Sequence, residues 1–109
     1  MKYNVVVVLS TVLAVSSAGA FANGDAAAGK VKSTFCAGCH GTGGVSVGDM
    51  FPNLAGQRYG YLVKQLKAFR DGTRKDPLMG PIAGPLSDQD IENLAAYFSK
   101  RTVAMGTSQ

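Results

Sequence analysis

The sequence predicts an all-α domain, and three observations carry that expectation. Apolar residues recur three and four positions apart in the segments around Leu62 and Leu94. Residues suited to starting and stopping helices bound them, with Gly72 after the first and Ser87 before the second. No segment shows the strict alternation of a half-buried strand. A chain of 109 residues fits one domain.

The first 22 residues read as an export signal and stand outside that domain. Lys2 gives a short positive start, and Val5 to Val15 is apolar except for Ser10 and Thr11. Ala18-Gly19-Ala20 and Ala20-Phe21-Ala22 both satisfy the small-x-small cleavage rule. The alternative is an uncleaved membrane anchor, which needs roughly 20 apolar residues and finds fewer here. No cysteine stands directly after the cleavage region, which speaks against a lipid anchor. Residues 1–22 are therefore expected to be removed, and residues 23–109 to work in the periplasm without an integral membrane segment.

Three helices are expected in the remainder. The first runs from an N-cap at Asp25 through Ala26, Ala27, Ala28 and Lys30 to about Phe35. The second covers Arg58 to Asp71, with Leu62, Leu66 and Phe69 on one face and Gly72 as its stop. The third starts at Ser87, with Asp88 and Asp90 in its positive first turn. Ile91, Leu94, Ala95 and Phe98 form its apolar stripe, and Lys100 and Arg101 sit near its negative end. Between the helices lie two loops rich in glycine and proline, Gly41 to Gly56 and Gly72 to Leu86. Loops of about 15 residues are unusual in so small a domain and make sense if they wrap something that is not protein.

Composition narrows the chemistry. Two cysteines exclude a disulfide-rich scaffold, and one histidine excludes sites that need a pair. The net charge of +4 is mild and not gathered in a run, which argues against nucleic acid as a partner. About 40% of residues 23–109 are apolar, a thin supply for a domain that small. Such domains usually need a staple.

Cys36-Ala37-Gly38-Cys39-His40 supplies one, using both cysteines and the only histidine. C-x-x-C-H is the attachment signature of c-type haem. Cys36 and Cys39 can each form a thioether with a haem vinyl group, and His40 can then reach the iron. A redox-active disulfide would expect a βαβ context that is missing. A zinc site would have only three ligands.

The second axial ligand decides between electron transfer and ligand chemistry. Methionine is the sensible donor, because a thioether favours ferrous iron. Met79 lies between Pro77 and Pro81, where rigid turn residues can hold its sulfur, and is preferred. Met50 is the runner-up, only ten residues after His40, and Met105 lies beyond the last helix. Ordinary core packing is the bland role for any of them.

The chain resembles a small monohaem class I cytochrome c, and is most similar to one haem domain of the bacterial periplasmic dihaem cytochromes. The resembling stretches are Gly24-Asp25 with Gly29-Lys30, the Cys36–His40 motif, Phe51 to Gln57, Tyr61-Leu62 through Gly72, and Leu86-Ser87-Asp88 through Ala96-Tyr97. The resemblance implies a small cytochrome c fold: first and last helices crossed, Gly29 allowing close approach near Tyr97, and a middle helix and long loops around one covalently bound haem. It implies that the Pro52 carbonyl accepts the other ring N–H of His40, and it matches Met79 to the axial methionine. A single attachment motif departs from the dihaem pattern, so transfer between two haems would need another subunit.

The expected function is electron carriage between redox partner proteins, a donor and an acceptor, with a membrane respiratory complex as one candidate partner and no catalysis of its own. The alternative is an electron-outlet subunit bound permanently to a dehydrogenase-type partner. A haem enzyme or gas sensor with an open sixth position is a third class. Phe35, Leu54, Leu62, Leu66, Ile82, Leu94 and Phe98 are candidates for the dry haem pocket, and Gln57, Arg58 and Tyr61 for the propionates. Lys64, Lys67, Arg70, Arg74 and Lys75 read as a solvated helix face, with a docking patch for an acidic partner as the functional counterpart.

Overall fold

The computed structural model describes residues 24–103, together with residues 1–4, 6–8 and 12. The expected cleavage region, 18–22, and Met105 lie outside the described residues. Among the described residues the order is α1 (Ala26–Lys32), α2 (Thr34–His40), a 3-10 turn (Thr42–Gly44), α3 (Tyr59–Asp71), α4 (Met79–Ala83) and α5 (Asp88–Ser99), with no strand. No helix among them is long and apolar enough to cross a membrane.

α5 is the centre of the fold, with α1 against one side and α3 against another. Its expected stripe of Ile91, Leu94, Ala95 and Phe98 is buried, and so are Ala96 and Tyr97 on the neighbouring face. That second buried face exists because α1 crosses α5 at very short range. A methyl group at Gly29 would run into the Asn93 carbonyl and the Tyr97 Cβ, and one at Gly24 into the Glu92 carbonyl. The crossing is fastened by a hydrogen bond from the Asp25 N–H to Asn93 Oδ1 at 2.8 Å, while Gln89 Nε2 donates to the same oxygen.

The helix ends follow the local chemistry. Asp25 caps α1 by accepting the Ala27 N–H at 2.9 Å. Ser87 and Asp90 form a reciprocal capping box at the start of α5. α3 ends at Gly72 in a left-handed conformation, φ 79°.

Two expectations need correction. The first helix does not end near Phe35: it breaks at Ser33 and resumes as α2 through His40. Ser33 Oγ donates to the Lys30 carbonyl and Thr34 Oγ1 to the Val31 carbonyl, back-bonds that bend a helix. The second proline-rich loop is not structureless, since it contains α4, which starts at Met79.

Candidate haem-binding site

α2 ends where the chemistry begins. Cys36 and Cys39 are three residues apart on it, and His40 is its last residue. Gly41 stops the helix with φ 78°, and a Cβ there would strike the Val45 carbonyl, so only glycine allows the turn. The chain then folds back. The Gly44 carbonyl accepts from the N–H groups of both Leu54 and Ala55, at 2.8 and 3.1 Å, and Asn53 Oδ1 accepts from the Ser46 N–H at 2.7 Å. Those bonds carry Pro52 to His40, whose Nδ1 lies 2.8 Å from the Pro52 carbonyl oxygen.

A carbonyl only accepts, so Nδ1 carries the proton and Nε2 keeps its lone pair. His40 is 7% exposed, and its ring meets Phe51 edge-on, with 6.1 Å between centroids. The imidazole is thus fixed in both tautomer and orientation, with Nε2 free to bind a metal.

His40, Cys36, Cys39 and Met79 all line one cavity of about 440 Å³. That volume falls within the range of about 300–1,000 Å³ typical of cofactor pockets. Its walls include every apolar residue singled out from the sequence: Phe35, Leu54, Leu62, Leu66, Ile82, Leu94 and Phe98. Gln57 and Tyr61 also line it, whereas Arg58 does not. Gln57 Oε1 already accepts the Arg58 N–H at 2.8 Å. Phe51, Phe69, Gln65 and Leu78 are wall residues that the sequence did not assign to the pocket. Phe69 belongs to the predicted α3 stripe, and that was the available signal.

The two methionines differ. Both line the cavity, but Met50 is 85% exposed on the Gly-rich loop, while Met79 is half-buried at the start of α4. Asp76 Oδ1 accepts the N–H groups of Leu78 and Met79, both at 2.8 Å. Those two bonds, aided by nearby Arg74, hold the Asp76 carboxyl below its ordinary range. Burial pushes the Cys36 thiol up, as expected for a sulfur facing apolar walls. Cys39 is exposed, and neither cysteine is in a disulfide.

The residues fit a covalently held haem. Two thiols on one helix, an oriented imidazole with a free Nε2, a thioether and apolar walls converge on one cavity.

The basic cluster proves more structural than its sequence suggests. The Arg70 guanidinium, mostly covered, donates to Asp71 at 3.0 Å, to Asp88 at 2.7 Å and to the Leu86 carbonyl at 3.3 Å. Arg74 donates to Gln65 Oε1 and lies 4.4 Å over the Phe69 ring.

Comparison with known proteins agrees with this geometry. The cytochrome c family model matches residues 26–101. Cytochrome c-554(548) of Halomonas halodenitrificans is 49% identical over 81 residues, covering 72% of this chain and 98% of that protein. The crystal structure of reduced recombinant cytochrome c4 from Pseudomonas stutzeri superposes with a TM-score of 0.69 at 44% identity, over 72% of this chain and 46% of that one. The chain therefore spans about half the length of that relative. Thiosulfate dehydrogenase from Marichromatium purpuratum gives a TM-score of 0.71 at 41% identity, over 84% of this chain and 22% of that one. The attachment motif, the all-α fold and these matches converge: the chain belongs to the cytochrome c family of electron-transferring proteins that carry covalently attached haem c.

Proposed function

We propose that the chain is a periplasmic carrier of single electrons, with residues 1–22 as its cleaved signal and residues 23–109 as its one haem domain. Cys36 and Cys39 would form the two thioethers, and His40 and Met79 would supply the two ligands to the iron. When bound, the haem supplies a one-electron Fe(III)/Fe(II) couple. The Pro52 carbonyl holds the Nδ1 proton of His40, which keeps Nε2 aimed at the cavity in both oxidation states. The apolar walls exclude water and so limit reorganisation on electron transfer. As an iron ligand Met79 would leave no open position for oxygen or peroxide, which would set a carrier apart from a haem enzyme or gas sensor.

The observation that carries this reading is the His40–Pro52 bond at 2.8 Å in a cavity that Cys36, Cys39 and Met79 also line. Its test is spectroscopic. The ferrous holoprotein at neutral pH is expected not to bind carbon monoxide and the ferric form to show the far-red sulfur–iron band. Met79→Ala is expected to lose that band, gain carbon monoxide binding and lower the reduction potential. A band that survives Met79→Ala would overturn Met79 as the ligand and turn the assignment to Met50 or Met105.

A second reading has an observation of its own. The likeness to a segment covering 22% of a thiosulfate dehydrogenase chain supports use of this domain as the electron outlet of a catalytic partner. Size-exclusion of native extract separates the two, since a free carrier elutes as a small protein and an outlet subunit with its enzyme.

A further inference from the structure

We infer that Asp76 is the positioning residue for Met79, holding the first turn of α4 so that the methionine faces the cavity. The inference rests on the reading of Met79 as an axial ligand and deepens it.

α4 has five residues, far fewer than an isolated helix needs to persist in water. Something outside it must hold it. Leu78, directly before it, contributes no capping side chain. Asp76 does the work of a cap from two residues further back. Its Oδ1 takes the N–H groups of Leu78 and Met79 at 2.8 Å each, and its carbonyl takes the Gly80 N–H at 3.0 Å. Three successive amide groups thus converge on one residue. Pro77, between them, has no N–H to satisfy and a fixed φ, which suits the turn that brings the carboxylate back over the chain. Bonds to a carboxylate are also stronger than neutral ones. The Met79 amide is one of the three, so a single hydrogen bond separates the carboxylate from the residue that bears the sulfur.

The test uses the haem-loaded protein with three variants. Its readouts are the thermal loss of the far-red sulfur–iron band and amide hydrogen exchange at Leu78, Met79 and, as a core reference, Ala95. Asp76→Ala is expected to lose the band below the global unfolding temperature. Exchange at Leu78 and Met79 should rise about tenfold, with Ala95 unchanged. Asp76→Asn keeps an Oδ1 acceptor and is expected to restore most of both signals. The inference is overturned if Asp76→Ala melts the band together with the fold as wild type does, or if Ala95 exchange rises as much as Met79 exchange. It is also overturned if Asp76→Asn behaves like Asp76→Ala. A band that persists in Met79→Ala marks instead the failure of the ligand assignment on which the inference rests.

Discussion

The two loops that wall the cavity are built on opposite plans. Residues 41–56 are cross-tied: one carbonyl, at Gly44, takes two amides from ten or more residues away, Asn53 takes a third, and the Gly56 N–H donates to the Phe98 carbonyl of α5. Residues 72–87 carry the turn around Asp76 within them and are tied mainly to α3, by Arg74 to Gln65 and the Ala68 carbonyl at one end and by Arg70 to the Leu86 carbonyl at the other. The histidine side is therefore a rigid seat, and the methionine side is a short helix hung between two anchors. Such a division suits the proposed ligand pair, an imidazole held in one orientation and a thioether that is the weaker, more replaceable donor.

The largest expected effect comes from removing what both loops enclose. Among the described residues only Ile91 and Leu94 are large side chains buried completely, and much of the remaining apolar surface faces the cavity. A Cys36→Ala, Cys39→Ala protein, which cannot attach haem, should lose cooperative unfolding by circular dichroism. Residual exchange protection should survive longest at the crossing of α1 and α5. Full protection of residues 72–87 in that variant would contradict the idea that the methionine side depends on its cofactor.

A pair of glycine substitutions compares the plans directly. Gly44 has φ 81°, and a Cβ there would meet the Phe98 ring and the Ala55 amide nitrogen. Gly72, at the start of the other loop, has φ 79° but open space around it. Gly44→Ala should therefore cost roughly 2–5 kcal/mol, conformational strain plus overpacking. Gly72→Ala should cost about 1 kcal/mol, strain alone. Denaturant unfolding of the two holoproteins measures both, and equal costs would remove the distinction between the loops.

Legibility in the sequence follows the same divide. α3 and α5 were readable because their periodicity, caps and stops are local, and both bounds agree closely with the structure. Cys36, Cys39 and His40 were readable because attachment chemistry demands contiguity. The cross-ties were not, since no local signal says that the Gly44 carbonyl will meet Leu54. Nor does composition reveal α2, whose Cys-Ala-Gly-Cys-His run is a poor helix former held by context. α4 hid behind Pro77, Pro81 and two glycines, although Asp76 before Pro77 was a visible turn signal. Arg70 looked like part of a solvated face because its partners, Asp88 and the Leu86 carbonyl, lie 16 or more positions away.

Arg70 also offers a gentler probe of the hung loop. Arg70→Gln removes the charge-assisted bond to Asp88 and the tie to Leu86. Exchange should rise several-fold in residues 72–87 and hardly at all in 41–56. Uniform acceleration in both loops would mean that they open as one unit.

The smallest effect at neutral pH, and the one with the clearest sign, is acid loosening of the same anchor. Asp88 is held below the ordinary carboxylate range chiefly by its hydrogen bond from Arg70, helped by Lys67, and Asp90 chiefly by the Ser87 amide. A depressed folded-state value means that the unfolded chain binds protons first as pH falls. Their stabilisation is complete well above the unfolded value of about 3.9 and is lost as pH drops through the folded values. Both groups cap or brace the start of α5, next to the end of residues 72–87, whereas the bonds that tie residues 41–56 run between backbone groups and the Asn53 amide, none of which titrates in that range. Exchange protection should therefore fall first on the methionine side as pH drops below the unfolded carboxylate value of about 3.9, and an Asp88→Asn protein should show a flatter acid limb there. If residues 41–56 opened first, the rigid seat would be the weaker of the two.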